Sequence, residues 1–381
     1  MTNSDARDFD IAMMDRVIAL AEQGRCTAAP NPMVGCIITL DGDVVGEGYH
    51  ERAGSAHAER MALSQAGDRA RGATVYVNLE PCCHQGRTPP CTDALIDAGV
   101  SRVVAAMPDP NPLVAGGGFE LLSRAGIETE CGIQERKARW LNRGFVSRMS
   151  YGRPWIKVKL GATLDGCTAD HGGVSQWITS EASRQNVQQE RAQADAIVTG
   201  IGTILADDAR LTARVEQPIN APLRVILDSQ LRLPINASVL NDDAQVLLMT
   251  SLDAKALDAD KVSEFESRGV EVLSLPLNER GQLELSTVFD QLAKWQINYV
   301  LVEAGQTLCG ALLEHDLIDE LSIYYGPSVL GSTARRLFAT EHAIVFDERP
   351  RFEFSDTQLL GPDVHTTAVR VDWRSMIGLP K

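Results

Sequence analysis

Apolar residues at Phe9, Met13, Met14, Val17, Ile18 and Ala21 recur at steps of three and four, which predicts an amphipathic helix over Phe9 to Arg25. After Pro30 and Pro32, the runs Val34 to Leu40 and Val44 to Tyr49 flank Asp41-Gly42-Asp43, a hairpin signal. His57 to Gln65 reads as a helix and Ala73 to Leu79 as a strand running into Pro81. Thr92 to Ala98 reads as a short helix ended by Gly99, and Arg102 to Met107 as another strand. Gln134 to Arg148 reads as one closing helix. This alternation predicts a sheet covered on both faces.

Tyr151-Gly152-Arg153-Pro154 has the character of a linker, so the domains are expected at 1–150 and 151–381. Beyond it, strand patterns recur at Trp155 to Leu160, Ala196 to Thr199, Arg224 to Leu227, Val246 to Met249 and Tyr299 to Val302. Helical patterns lie at Ser180 to Ala192 and Thr307 to His315, making the second half a further α/β domain. Arg351 to Leu359 and Val364 to Val371, around Gly361-Pro362, predict an antiparallel edge hairpin.

Composition narrows the function classes. Hydrophobic residues make up 44% of 381 residues and charged residues 23%, as in folded globular chains. No apolar run reaches the ~18 to 20 residues that span a bilayer, and the polar start MTNSDARDFD is no secretory leader, so a cytoplasmic location without membrane attachment is expected. The net charge of −15 disfavours a long nucleic-acid partner. Eight cysteines are too few for a disulfide framework, but Cys82, Cys83 and Cys91 fall close together, which points to a metal or catalytic site.

His57-Ala58-Glu59 opens a helix, a later strand ends in Pro81-Cys82, and Cys91 precedes another helix. One imidazole and two thiolates make a three-ligand zinc site with the fourth tetrahedral position open to water. Glu59, two residues from His57, is not needed as a ligand and is placed to move protons between that water and a departing amine. The second cysteine follows at C-x8-C instead of the usual C-x2-C. The alternatives are a closed zinc knot drawn from His57, Cys82, Cys83, His84 and Cys91, or cysteines with no metal.

HAE at 57 to 59, LEPC at 79 to 82 and HQGRTPPC at 84 to 91 resemble the bifunctional riboflavin-biosynthesis deaminase/reductase family, and the resemblance extends over the whole chain. The long GRTPPC loop is specific to that branch of zinc-dependent pyrimidine deaminases, and Cys83 stands where the family commonly has serine. The resemblance implies a cytidine-deaminase-like three-layer α/β/α domain followed by a dihydrofolate-reductase-like α/β domain. It also implies a substrate, 2,5-diamino-6-(5-phosphoribosylamino)pyrimidin-4(3H)-one, whose 2-amino group is exchanged for oxygen. The family's substrate contacts fall on Asn31, His50, His84 and Arg87; an amide suits a pyrimidine edge, and His84 and Arg87 suit a ribose phosphate. On local chemistry alone, Asn31 is equally a turn residue and His50 a strand end.

No full dinucleotide fingerprint occurs: Gly200-Ile201-Gly202 follows a strand, but Leu205 stands at the third glycine position. Gly116-Gly117-Gly118 reads as a flexible turn. KLGATLDG at 159 to 166, SQWITS at 175 to 180, GTILADD at 202 to 208, LTAR at 211 to 214 and VEAGQTL at 302 to 308 resemble the reductase half of the same family, which binds NADPH without that loop. The resemblance implies dinucleotide contacts at Gly161, Trp177, Thr203, Asp207 and Ser229, and along Gly305, Gln306, Thr307, Leu308, Cys309, Gly310 and Ala311. The turn at Gly305 opens a helix, and helix-start amides suit a pyrophosphate. Ser175, Arg191, Leu211, Arg214 and Glu303 would hold the ribosyl substrate, the two arginines at its phosphate. Lys159 and Asp207 are the candidates for polarising and protonating the reduced centre, with an edge-strand lysine and an Asp-Asp turn as the plain alternatives. Family members form oligomers, so a homodimer or tetramer is expected. Two rival readings remain at this point, a nucleic-acid base deaminase, disfavoured by charge, and a zinc-stapled binding protein, which would have no use for Glu59.

Overall fold

Strand pairing in a computed structural model, which describes residues 3–85, 89–112, 114–242 and 244–379, gives two main sheets and, in the second half, a small two-stranded one. Each main sheet belongs to its own compact unit. The first unit runs to Gly152 and the second begins at Arg153, with Ile377–Leu379 grouping with the first unit. Arg139 accounts for that return, donating to the Ile377 carbonyl at 2.9 Å.

The first unit contains α1 (Asn3–Ala21), β1 (Gly35–Leu40), β2 (Asp43–Tyr49), α2 (Ala58–Ala66), β3 (Thr74–Val77), α3 (Cys91–Ala98), β4 (Arg102–Ala105), α4 (Gly117–Arg124), β5 (Glu128–Cys131), α5 (Glu135–Leu141) and α6 (Arg143–Tyr151). Its sheet runs β2-β1-β3-β4-β5, antiparallel through β2, β1 and β3 and parallel from β3 to β5. The β1–β2 turn has φ of 54° at Asp41 and 89° at Gly42, the left-handed pair that a two-residue hairpin loop requires. Cys36, Ile38, Val75, Val77, Val103 and Ala105 bury one face against Ala58, Ala62, Leu95 and Leu122 of α2, α3 and α4. Phe9 of α1 meets Tyr76 edge-on across the other face. The result is the three-layer α/β/α arrangement.

Two glycines on β2 set how closely α2 can lie. A Cβ at Gly46 would stand 2.2 Å from the Ala62 carbonyl oxygen, and one at Gly48 would stand 2.5 Å from the Met61 Cβ. That close approach fixes the start of α2, where His57 and Glu59 sit.

The single helix expected over Gln134 to Arg148 is in fact two, broken at Asn142. The Asn142 side chain accepts from the Met33 amide at 2.8 Å and donates to the Met33 carbonyl at 2.9 Å, and it is almost wholly buried. Asn142→Ala is expected to destabilise the first unit by about 1 to 3 kcal/mol, because the buried Met33 N–H loses its partner while the Met33 carbonyl keeps Asn78 Nδ2 at 2.9 Å; denaturant unfolding of the full chain, followed at the first unit's transition, checks this.

The second unit contains β6 (Trp155–Thr163), β7 (Cys167–Ala169), α7 (Glu181–Ala192), β8 (Ala196–Gly200), α8 (Ile201–Asp207), β9 (Leu223–Leu227), β10 (Val246–Ser251), α9 (Leu252–Leu257), α10 (Ala259–Ser267), β11 (Glu271–Leu275), α11 (Leu285–Lys294), β12 (Tyr299–Val302), α12 (Gln306–Glu314), β13 (Glu320–Gly326), β14 (Arg335–Arg336), β15 (Phe352–Leu360), β16 (Asp363–Arg370) and α13 (Trp373–Met376). Its main sheet runs β11-β10-β9-β8-β12-β6-β13-β16-β15, parallel up to β13, with β16 and β15 as the antiparallel edge hairpin.

β6 lies between β12 and β13, so Lys159 is no edge-strand lysine. Its alternate residues Ile156, Val158, Leu160 and Ala162 enter the apolar core with Phe289 and Leu312. The opposite face carries Trp155, Lys157 and Lys159, a polar row covered by α7, where Glu190 pairs with Lys157 at 3.3 Å. An interior parallel strand is normally apolar on both sides; β6 departs from that because its second face leads to a binding site. Among the described residues no helix is long and apolar enough to cross a membrane.

Candidate active sites

In the first unit, the three expected ligands converge from separate elements. His57 caps the start of α2 in extended conformation, Cys82 ends the turn after β3, and Cys91 opens α3. His57 Nδ1 lies 3.3 Å from Cys91 Sγ and 3.5 Å from Cys82 Sγ, and all three donor atoms fall within 4.8 Å of one another. Tetrahedral zinc with its usual Zn–N and Zn–S bonds needs N···S separations of roughly 3.5 Å, so the donors fit the ion. Backbone amides hold the cluster: Cys91 N–H donates to Cys82 Sγ at 3.3 Å, and the amides of Cys91 and Thr92 reach the Cys82 carbonyl.

Electrostatics favour a thiolate at Cys82. The hydrogen bond from Cys91 lowers its pKa most, burial opposes and His57 assists, leaving it at about 4. Cys91 goes the other way, raised by that same hydrogen bond, by burial and by Glu59. A divalent cation displaces the remaining thiol proton, since thiolate is the ligand form. Glu59 is buried, and desolvation together with the Cys82 charge raises its carboxyl above the ordinary range.

Cys83 and His84 do not join the donor cluster, which removes the closed knot. The Cys83 sulfur instead faces Gly117. His50 is buried, its ring edge-on to His57 with centroids 5.3 Å apart. Its partners assign the tautomer: Nδ1–H donates to the Ala56 carbonyl at 3.1 Å, and Nε2 accepts from Asn31 Nδ2 at 2.9 Å. Burial lowers the His50 pKa, which keeps it neutral, and Asn31 retains its carbonyl oxygen for a ligand. His84 is half-buried, with Nδ1 buried and without a protein partner among the described residues. Arg87 lies outside the described residues. Sequence reasoning missed Arg60, which donates from α2 to the carbonyls of Pro89 and Pro90 at 3.3 and 3.1 Å, immediately before Cys91.

Gly116-Gly117-Gly118 is not a flexible turn, since Gly116 caps α4 and Gly117 and Gly118 are its first residues. The Glu80 carboxylate occupies the cradle that the amides of Gly116 and Gly118 form.

In the second unit a cavity of 1190 Å³ opens at the carboxyl ends of β6, β8, β9 and β12, the usual ligand position in a parallel sheet. Among the expected substrate residues, Ser175, Arg191, Leu211, Arg214 and Glu303 line it. Gly161, Trp177, Thr203, Asp207 and Ser229 line it as well, as do Gly305, Gln306, Thr307, Leu308 and Ala311. Cys309 and Gly310 do not. Cys309 is fully buried in the apolar core, and Gly310 is packed against the Ala339 backbone, because that side of α12 faces inward.

The centre of this cavity is a buried carboxylate between two cations. Glu303 Oε2 lies 3.0 Å from Lys159 Nζ, and both carboxylate oxygens receive Arg191, from Nε at 2.5 Å and from Nη2 at 3.0 Å. Burial would raise the Glu303 pKa, but Lys159 and then Arg191 outweigh it and hold it down at about 2. Of the two candidates for polarising and protonating the reduced centre, Lys159 is paired with Glu303 and Asp207 is exposed at the end of α8. Arg191 spends its planar fork on Glu303 and donates to the Thr212 carbonyl at 3.0 Å, so exposed Arg214 is the better placed cation for a phosphate. Arg184 was missed: it stacks 4.4 Å over the Trp177 ring, backing an indole that is 69% exposed.

Comparisons with known proteins identify both units. Residues 7–107 match a family model described as the cytidine and deoxycytidylate deaminase zinc-binding region, and residues 154–366 match the RibD C-terminal domain. The riboflavin biosynthesis protein RibD of Escherichia coli is 46% identical over 364 residues, covering 92% of this chain and 96% of that protein. RibD of Haemophilus influenzae is 40% identical over 370 residues, covering 94% and 96%. Among solved structures, Acinetobacter baumannii RibD superposes with a TM-score of 0.88 at 42% identity, covering 96% of this chain and 99% of that one. With both domain models in sequence and full-length relatives of this similarity, the chain belongs to the RibD family of bifunctional riboflavin-biosynthesis deaminase/reductases.

Proposed function

We propose that the first unit hydrolyses the 2-amino group of 2,5-diamino-6-(5-phosphoribosylamino)pyrimidin-4(3H)-one. The product, 5-amino-6-(5-phosphoribosylamino)uracil, is then reduced in the second unit to 5-amino-6-(5-phosphoribitylamino)uracil with NADPH. The observation that carries the reading is the three-donor cluster of His57, Cys82 and Cys91 with buried Glu59 beside it. A purely structural site has no use for that carboxylate. Zinc, when bound, supplies a Lewis acid that makes water acidic enough to lose a proton near neutral pH.

Glu59, its proton affinity raised by burial, accepts a proton from water and returns it to the departing nitrogen, which leaves as ammonia. The Asn31 carbonyl oxygen accepts from the pyrimidine edge while neutral His50 fixes the amide's orientation. His84 and Arg87 are assigned to the ribose phosphate.

NADPH, when bound in the second unit, would supply the hydride that reduces C1′ of the opened ribose. The Lys159 ammonium, kept in place by Glu303, is the proton donor at that centre. Trp177, backed by Arg184, offers a flat surface for an aromatic ring, and the α12 start at Gly305 to Leu308 receives the pyrophosphate. Arg214 binds the substrate phosphate, and Asp207 at the rim is assigned to the dinucleotide.

A coupled assay on zinc-loaded protein tests the whole reading. Given the diaminopyrimidine ribotide and NADPH, ammonia release and loss of NADPH absorbance are expected together. Ammonia without NADPH oxidation would remove the reductase assignment, and neither signal would leave the zinc-stapled binding protein.

A further inference from the structure

We infer that Glu80 is a positioning residue of the zinc site, holding the Cys82 turn in ligand geometry through its negative charge. The inference rests on the zinc reading above. Glu80 is 2% exposed and two residues ahead of Cys82. Its Oε2 accepts from the amides of Asp109 at 3.1 Å and Gly116 at 3.0 Å. Its Oε1 accepts from those of Gly118 at 2.9 Å and Phe119 at 3.3 Å.

These four donors come from the loop after β4 and the first turn of α4, so one carboxylate ties both to the end of the turn that carries Cys82. The packing is tight on the same line. A Cβ at Gly118 would stand 2.2 Å from the Pro81 carbonyl oxygen, so α4 rests directly on the peptide preceding Cys82. The Cys82 carbonyl is held from its other side by the amides of Cys91 and Thr92. Cys82 is thus clamped between the starts of two helices, and Glu80 is the clamp on the α4 side.

Both Glu80 oxygens must accept, which only a carboxylate can do. Glutamine of the same shape would turn its NH2 group toward two amide donors and lose half of the contacts. Outer contacts of this kind change metal affinity by about 10- to 100-fold when removed.

The test uses the full chain loaded with zinc. For Glu80→Gln, zinc transfer to a chromophoric chelator is expected to be at least about tenfold faster than in wild type. The thiolate-to-metal absorption of the cobalt-substituted protein is expected to shift, while cooperative unfolding is kept. Wild-type transfer rate and an unchanged cobalt spectrum would overturn the inference even with lowered stability, since Glu80 would then be only a helix cap. Gly118→Ala presses on the Pro81 carbonyl and on Glu80 itself, whose Oε1 and Cγ would stand 3.1 and 3.2 Å from the new Cβ, so it loosens the clamp while keeping the carboxylate and is expected to speed transfer as well. If Glu80→Gln is insoluble, Gly118→Ala decides: accelerated transfer supports the clamp and a wild-type rate overturns it. Wild-type protein that takes up no zinc would overturn the zinc reading itself, and this inference with it.

Discussion

Glu59→Gln is expected to lower ammonia release by about 10³-fold while the protein keeps one zinc and its full reductase activity. Gln has nearly the same volume and cannot accept and return a proton, so the change removes chemistry and not packing. The environment explains why a carboxyl group was needed. Glu59 is buried beside Cys82, and both effects raise its proton affinity toward the range where transfer in either direction is useful near neutral pH. Metal content and ammonia production are measured on the same preparation. Retained deamination with zinc bound would remove Glu59 from the mechanism; loss of both zinc and activity would make it a structural residue.

Glu303→Gln has the second large effect, and it falls on the other unit. Removing the carboxylate leaves Lys159 and Arg191 facing one another with no anion between them. Breaking a buried pair in this way costs about 3 to 5 kcal/mol. The second unit's unfolding transition should therefore fall by roughly 10 °C, and hydride transfer should be lost because Lys159 no longer has a fixed position. Ammonia release should continue, which separates this variant from general misfolding. The same pair predicts acid sensitivity. The folded pKa of Glu303, about 2, is below the ordinary 4.5 of the unfolded chain. Its stabilisation is therefore complete above about pH 4.5 and is lost as the pH falls toward 2. Wild-type protein should lose that contribution between those limits and Glu303→Gln should not, as pH-dependent denaturant unfolding would show.

The zinc site was largely legible in the sequence because its ligands stand at local landmarks: a helix start at His57, a strand end before Cys82 and a helix start at Cys91. Spacing alone leaves Cys83 as a rival, and Cys82 is preferred because Pro81-Cys82 carries the motif. The structure turns the Cys83 side chain toward Gly117, away from the donor cluster. The glycine run was misread for a related reason: its backbone does form an anion cradle, but the anion is Glu80, 38 residues before Gly118. The break at Asn142 has the same origin, since its partner Met33 lies 109 residues away. A helical period carries no record of a contact at that range. In α12, by contrast, the phase of the helix separates Thr307, Leu308 and Ala311 from inward-facing Cys309 and Gly310, so that distinction follows from a 3.6-residue repeat once the helix is granted.

By itself the sequence determined the two α/β units, most strands and helices, the candidate donors His57, Cys82 and Cys91 and the residue types of the reductase cavity. Each depends on a short window: alternation along a strand, a glycine after a helix, or a histidine and a carboxylate two positions apart. Tertiary structure alone decided which charges meet. Lys159 and Arg191 meet on Glu303 because β6 and β12 are neighbours in the sheet and α7 covers their polar face. Those partners lie 112 residues or more apart in the chain. Electrostatic pairing depends on distance in space, and only the packed sheet sets that distance.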